Sequence, residues 1–89
     1  MYTKTVKITN KIGIHARPAS MIVDVATKYN GDIKLKKNGL VADAKSILSI
    51  MILAAEKDEE VQIEANDCDK EKEVVDKIAE LFERKFDEE

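Results

Sequence analysis

Residues 13–20 read GIHARPAS and mark the change from a strand-like to a helical pattern near the start of the chain. His15 falls at the N-cap of the predicted helix. Pro18 falls in its first turn, where a missing N–H costs nothing because first-turn N–H groups have no intrahelical partner. Gly13 allows the backbone to turn sharply before the histidine. The junction therefore predicts that the single histidine of this chain lies at a helix N-terminus.

Alternating and helical hydrophobic patterns continue on both sides of this junction. Strands are predicted over residues 2–9, 32–36, 40–44 and 60–66, and helices over residues 16–29, 46–55 and 70–86. The pair Asn38-Gly39 between two strand-like runs is a strong hairpin signal. Ser46 and Asp69 stand where the second and third helices begin, and both residue types are favoured N-caps.

The predicted element order, β-α-β-β-α-β-α, indicates an α+β fold with one four-stranded antiparallel sheet and three helices on one face. The 89 residues fit a single domain, residues 1–89. A domain of this size buries only about 60% of its unfolded surface and hardly encloses a deep pocket. We therefore expect a small surface site instead of an enclosed active site.

The composition argues against several classes of protein. A net charge of −3 gives no basic surface for nucleic acid, and 4% aromatic residues without tryptophan give no base-stacking platform. Cys68 is the only cysteine, so neither an intrachain disulfide nor a clustered metal site is expected. No apolar run reaches the roughly 18 residues of a membrane span, and residues 1–9 lack a signal pattern. We expect a soluble, cytoplasmic protein without metal or cofactor.

A histidine at a helix N-terminus is well placed to carry an anionic group. Free backbone N–H groups and the helix dipole favour an anion there, and the Arg17 guanidinium is a natural phosphate partner. The imidazole is a competent nucleophile near neutral pH, since its reference pKa is about 6.5. A lone histidine in a loop is most often an ordinary surface residue. Its combination with Arg17 and Pro18 at one helix start predicts a phosphoryl acceptor.

Two motifs give the chain a resemblance to a known family. Residues 13–20 closely resemble the active-centre motif of HPr, the histidine-containing phosphocarrier of the bacterial phosphoenolpyruvate:sugar phosphotransferase system. Residues 45–48, KSIL, resemble the regulatory-serine segment of HPr proteins from Gram-positive bacteria. The resemblance runs over essentially the whole chain without evident gaps. It implies an open-faced β-sandwich, in agreement with the predicted elements.

The resemblance implies a phosphoryl carrier and not an enzyme. Enzyme I would transfer a phosphoryl group from phosphoenolpyruvate to Nδ1 of His15, which would pass it to the IIA domains of sugar permeases. Ala16 and Arg17 would bind the phosphoryl group. Ser46 would be phosphorylated by HPr kinase/phosphorylase under sugar-rich conditions, and the product would act with a catabolite-control transcription factor. Because such a relay docks its partners in turn, we expect a monomer that contacts neither nucleic acid nor membrane.

The second predicted helix is apolar nearly all round and should present a docking surface. A short helix on one face of a sheet cannot bury every side, and an exposed apolar patch usually marks an interface. Ile50 and Leu53 are expected in the core. By the family resemblance, the other apolar residues of this helix contact Enzyme I and the IIA domains. The predicted partner interface consists of Ser20, Ile47, Leu48 and Met51.

Several positions depart from the family pattern. Ile12 replaces a small polar residue that usually supports the active-centre loop. Ser49 and Ala54 stand where glycines are common, and residues 56–59 are unusually acidic and lack a typical glycine. These changes are expected to affect partner binding or recognition of the regulatory serine, and they leave the central residues of the histidine motif intact.

Three other interpretations compete with the carrier. A purely regulatory relative would act only through Ser46, although the histidine is replaced in such paralogues. A generic interaction module would give His15 no special role, and an RNA-binding version would need exposed aromatic residues on the sheet. A hydrolase would need a Ser–His–acid or Cys–His arrangement that the sequence does not show. The residues identify neither the sugars nor the permeases served, although the Ser46 motif favours the sugar branch.

Overall fold

The computed structural model describes residues 1–87, and in it three α-helices cover one face of a four-stranded antiparallel sheet. The strands are β1 (Tyr2–Lys7), β2 (Asp32–Lys37), β3 (Leu40–Asp43) and β4 (Glu60–Asn66). The helices are α1 (Ala16–Ala26), α2 (Ile47–Ile52) and α3 (Glu71–Glu83), followed by a short 3-10 turn, Lys85–Asp87. The strand order across the sheet is β1-β4-β2-β3, with every neighbouring pair antiparallel. The predicted α+β fold is confirmed.

Period-two alternation divides the sheet into a helix-covered face and an open face. Val6, Leu35 and Ile63 are buried on the covered face, where they join the apolar faces of the helices in one cluster. The open face is polar and carries an ion pair between Lys36 Nζ and Glu64 Oε1 at 2.9 Å. The other apolar residues at alternate positions of β2 and β4 are also buried, namely Ile33, Val61 and Ala65.

Helix α1 starts where it was predicted, at Ala16, but ends at Ala26 and not at residue 29. The hydroxyl of Thr27 donates to the carbonyl of Val23 at 2.8 Å and so occupies an acceptor of the last turn. A side chain that bonds locally to the backbone in this way competes with continuation of the helix.

Helix α2 ends at Ile52, earlier than the predicted end at residue 55. Ala54 has a φ of 51°, in the left-handed region, and a right-handed helix cannot continue through it. Ala55 therefore lies outside the helix, and its carbonyl accepts a hydrogen bond from the N–H of Ile14 at 3.0 Å. The early end of α2 thus connects this helix to the turn before the histidine.

The prediction that Asp69 caps α3 is wrong, because Lys70 occupies the N-cap position. Asp69 instead bonds to Asn30: its N–H donates to Oδ1 at 3.1 Å, and its carboxylate accepts from Nδ2 at 3.4 Å. The helix ends at Glu83 and not at residue 86. Phe86 still reaches the core from the 3-10 turn and is fully buried.

Candidate functional site

His15 is the N-cap residue of α1, as the sequence predicts. Its backbone is extended, with φ −118° and ψ −164°, and its carbonyl accepts the N–H of Ala19 at 3.0 Å. The residue is half-buried, and its side chain makes no capping hydrogen bond to the helix. The imidazole is therefore not the side-chain cap of this helix.

The first turn of α1 places backbone N–H groups without an intrahelical acceptor close to the histidine. Ala16 and Arg17 occupy the first two helical positions, where backbone N–H groups have no intrahelical acceptor, and Pro18 has no N–H. No acidic side chain lies in this turn. Arg17 is exposed, and its guanidinium pairs with no carboxylate of residues 1–87. Helix dipole, N–H groups and guanidinium together favour an anion at this position.

The turn that precedes His15 is packed closely against the backbone that follows α2. Gly13 has a φ of +81°, and a Cβ at this position would lie 2.5 Å from the Ala55 carbonyl oxygen and 2.9 Å from Glu56 Cα. Only glycine combines this conformation with this approach. The Gly13 carbonyl accepts a hydrogen bond from Asn10 Nδ2 at 2.7 Å, and Asn10 is itself buried. The backbone before the histidine is therefore held from both sides.

The apolar residues of α2, together with Leu53 at its C-cap, divide between core and surface as predicted. Ile50 and Leu53 are 0% and 2% exposed, whereas Ile47, Leu48 and Met51 are 42%, 68% and 41% exposed. Helices α1 and α2 pack against each other, and the hydrogen bond to residue 55 brings the C-terminal end of α2 to the turn before the histidine. The exposed apolar side chains therefore belong to the same region of the surface as the helix start.

Two further residues flank the helix start. Ser20 is half-buried and lies one helical turn after Ala16, on the same face of α1. Ile12, in the loop before Gly13, is 70% exposed and adds an apolar side chain near the histidine. The sequence showed Ile12 only as a departure from the family pattern, and its exposure adds it to the candidate docking surface.

Ser46 lies at the other end of α2. It is the N-cap of this helix, and its Oγ accepts the N–H of Ser49 at 3.2 Å. The preceding residue, Lys45, donates from Nζ to the Gly31 carbonyl at 3.1 Å, which ties this end of α2 to the segment after α1. The N-cap role predicted for Ser46 is confirmed, and its hydroxyl already stabilises the helix.

The positions where glycines are common in the family have distinct structural consequences here. Ser49 accepts the N–H of Asp43 on its Oγ at 2.9 Å, so this side chain satisfies a donor of the edge strand β3. Ala54 adopts a left-handed conformation that glycine would adopt without steric cost. The first substitution adds a hydrogen bond, whereas the second adds backbone strain.

The open face of the sheet offers charged and amide groups. Glu64 Oε1 accepts from Lys36 Nζ at 2.9 Å, and Glu64 Oε2 accepts from Asn66 Nδ2 at 2.8 Å. The hydrogen bond from Lys36 holds the pKa of Glu64 below its usual value, against the opposing effect of burial. The phenylalanine rings, Phe82 and Phe86, are buried in the core. This face does not favour the RNA-binding interpretation, which needs exposed aromatic rings.

Residues 1–87 contain neither a cluster of metal ligands nor a membrane-spanning helix. In this part of the chain, no three His, Cys, Asp or Glu side chains lie together as a metal site would require. Nor does any helix of this part have the length and apolar character needed to cross a membrane.

The family model, the relatives and the solved structure that this chain resembles are all of phosphocarrier proteins. A family model described as "PTS HPr component phosphorylation site" matches residues 2–84. The chain is 38% identical to phosphocarrier protein NPr of Proteus mirabilis over 86 residues, which cover 96% of this chain and 94% of the relative. It is 37% identical to phosphocarrier protein HPr of Treponema pallidum over 89 residues, the full length of both chains. The solved structure of HPr-C-His from Thermoanaerobacter tengcongensis has a TM-score of 0.92 at 38% identity and covers 100% of this chain and 99% of its own.

Proposed function

Because this chain belongs to the HPr family of phosphocarrier proteins, we propose that it relays a phosphoryl group on His15 from Enzyme I to the IIA domains of sugar permeases. The observation that carries the proposal is the position of the single histidine at the start of α1. There, the N–H groups of Ala16 and Arg17, which have no intrahelical acceptor, and the exposed guanidinium of Arg17 can receive the charge of a phosphoryl group. The protein is a carrier and not an enzyme, since it has no turnover without its donor and acceptor.

For the transfer, this chain has to supply a well-placed histidine nitrogen and positive charge around the phosphoryl group. The lone pair of His15 Nδ1 attacks phosphorus, the bond between phosphorus and the donor atom of Enzyme I breaks, and the donor atom keeps its electron pair. The N–H groups at the helix start and the Arg17 guanidinium stabilise the oxygens as charge shifts among them. In the second step, a nucleophile on the IIA domain attacks the same phosphorus and the N–P bond breaks. An exposed helix start is suited to both steps because each partner must reach the phosphorus atom.

The exposed apolar side chains near the histidine supply the docking surface in this proposal. Ser20, Ile47, Leu48 and Met51 form it together with Ile12. The change Leu48→Glu tests it, since Leu48 is 68% exposed and its replacement should leave the folding free energy within about 0.5 kcal/mol of wild type. We expect a higher KM for phosphorylated Enzyme I. Lys28→Glu, a larger change of charge at an exposed position after the C-terminal end of α1, is the control for a purely electrostatic effect.

We further propose that phosphorylation of Ser46 by HPr kinase/phosphorylase regulates the relay, with a catabolite-control transcription factor as partner of the modified form. A phosphate on an N-cap residue is compatible with the helix dipole and need not unfold α2. It adds negative charge beside the exposed Ile47. Ser46→Asp should therefore retain a folded protein and lower the rate of phosphoryl transfer from Enzyme I, whereas Ser46→Ala should keep the rate.

The first experiment incubates wild type and His15→Ala with phosphoenolpyruvate and a bacterial Enzyme I and measures intact mass. We expect one acid-labile phosphoryl adduct on wild type and none on the variant. An adduct on His15→Ala would contradict the assignment. A second incubation with HPr kinase and ATP separates the carrier from the purely regulatory alternative, which predicts an acid-stable adduct dependent on Ser46 and no acid-labile one.

A further inference from the structure

A short irregular segment lies directly beneath the turn that carries the histidine. This supporting segment, Ala54–Glu59, connects α2 to β4 and contains the Ala55 carbonyl that accepts the Ile14 N–H at 3.0 Å. Two of its residues, Ala54 and Asp58, have φ values of 51° and 74° although neither is glycine. Such conformations cost free energy and persist only where surrounding contacts hold them. The supporting segment therefore needs anchors outside itself.

The first anchor is Lys37, at the end of β2, whose side chain contacts both ends of the supporting segment. This side chain is only 11% exposed, and Nζ donates to the Ala54 carbonyl at 3.1 Å and to Glu59 Oε1 at 3.3 Å. The same carboxylate oxygen accepts the N–H of Glu56 at 2.7 Å. This N–H is the largest cause that lowers the pKa of Glu59, and Lys37 lowers it further. One ammonium group and one carboxylate therefore close the segment into a loop.

The second anchor is the chain that follows β1. The N–H of Asp58 donates to the Ile8 carbonyl at 2.8 Å, and the N–H of Ile8 donates to the Glu59 carbonyl at 2.9 Å. These bonds fix the far end of the supporting segment against the sheet, but they do not reach Ala54. The near end is held by the bond from the Ala54 N–H to the Met51 carbonyl at 3.1 Å and by Lys37, whose Nζ binds the Ala54 carbonyl beside Ala55.

We propose that Lys37 and Glu59 are positioning residues for His15, acting through the supporting segment and the bond between the Ala55 carbonyl and the Ile14 N–H. This inference rests on the proposed function, in which His15 carries the phosphoryl group. Neither side chain contacts the phosphoryl group in this arrangement. Instead, they fix the position of the His15 imidazole relative to a docked partner. A misplacement of about 1 Å can slow a transfer by up to about 100-fold.

The strand itself offers a matched control. Lys36 precedes Lys37 in β2 but points to the open face of the sheet, where its Nζ lies 2.9 Å from Glu64 Oε1. Lys36→Met and Lys37→Met therefore remove the same chemical group from adjacent positions, and each leaves a carboxylate without its ammonium partner. Only the second change touches the supporting segment. Lys37→Arg keeps a donor for both acceptors, and Glu59→Gln keeps an acceptor for the Glu56 N–H while removing the charge.

Two measurements test the proposal on the full chain. The first is kcat and KM for transfer from phosphorylated Enzyme I. We expect Lys37→Met to lower kcat about tenfold with KM within about twofold of wild type, Glu59→Gln to have a smaller effect, and Lys37→Arg to recover most of the rate. Lys36→Met should transfer at the wild-type rate. Equal losses of kcat in Lys36→Met and Lys37→Met would overturn the proposal. The loss would then arise from a general loss of protein stability and not from a displaced His15.

The second measurement is hydrogen exchange of the Ile14 amide by NMR, which does not depend on phosphorylation. We expect about tenfold faster exchange in Lys37→Met and unchanged exchange in Lys36→Met, since only the former loosens the Ala55 carbonyl. Unchanged protection of this amide in Lys37→Met overturns the inference whether or not the protein is phosphorylated. Failure of wild type to acquire a phosphoryl group on His15 would instead overturn the proposed function.

Discussion

Two glycines with nearly the same φ should respond very differently to the same substitution. Gly13 has a φ of +81° and Gly39 a φ of +82°, so alanine is strained at both. At Gly39, in the β2–β3 turn, an added Cβ meets nothing within 4 Å. At Gly13 it would lie 2.5 Å from the Ala55 carbonyl oxygen and 2.9 Å from Glu56 Cα, both backbone atoms that cannot rotate away.

The expected free energies follow from these surroundings. An L-residue in the left-handed region costs about 1–2 kcal/mol, and the lower unfolded-state entropy of alanine returns about 0.4–1 kcal/mol. Gly39→Ala should therefore destabilise by about 1 kcal/mol. Gly13→Ala must also displace the Ala55 carbonyl, which leaves the N–H of the buried Ile14 without its acceptor and costs about 1–3 kcal/mol more.

Urea unfolding and thermal melting measure the difference. For a domain of this size, 1 kcal/mol corresponds to about 4–8 °C in Tm, so we expect that loss for Gly39→Ala and about two to four times that loss for Gly13→Ala. Phosphoryl transfer should fall in Gly13→Ala alone, because only this change moves the turn before His15. Equal destabilisation of the two variants would refute the argument that the close approach to residue 55 is what requires glycine.

Three further changes have expected outcomes. Ala54→Gly should stabilise the protein by about 0.5–1 kcal/mol in urea unfolding, because glycine takes the observed φ of 51° without steric cost; a loss of stability would show that the strain is relieved in some other way. Ser46→Ala should destabilise by about 1 kcal/mol through loss of the N-cap hydrogen bond, whereas Ser46→Asp should lose much less, and equal losses would contradict this role. Because the pKa of Glu64 is lower in the folded than in the unfolded protein, its contribution to stability is complete above its usual pKa of 4.5 and is lost as pH falls through the folded value. An NMR titration of the Glu64 carboxyl group should show a higher pKa in Lys36→Met than in wild type. An unchanged pKa would exclude Lys36 as the main cause of the lowered pKa of Glu64.

The position of His15 at a helix start was predictable because its signals are local. A glycine, a histidine and a proline within a few residues specify a turn, an N-cap and a first helical turn through sterics and backbone donors alone. The same holds for the strand alternation and for the Asn38-Gly39 hairpin, which the structure places between β2 and β3. Exposure of Leu48 and burial of Ile50 also followed from the sequence, since a short helix against a sheet has only one buried side.

Helix ends were predicted less well, for a physical reason. Apolar residues continue past Ile52, so periodicity gave no signal for the end of α2, and no glycine or proline marks the left-handed residue at Ala54. Asp69 has the side chain of a favoured N-cap, but Asn30 from a distant part of the chain competes for it. Such endings are decided by tertiary contacts that outweigh local preference.

The sequence by itself determined the element order, the two faces of each strand and the position of His15 at a helix start, because neighbouring residues specify these through sterics, periodicity and backbone donors. Only the tertiary structure decided what supports that histidine. In sequence Lys37 is one charged residue at the edge of a turn, and Glu59 is one of several acids in a loop. Their bond at 3.3 Å arises because the β2–β4 pairing and the early end of α2 bring two distant segments together beneath Gly13. Contacts between residues far apart in the chain depend on how the whole core packs, and no local pattern encodes them.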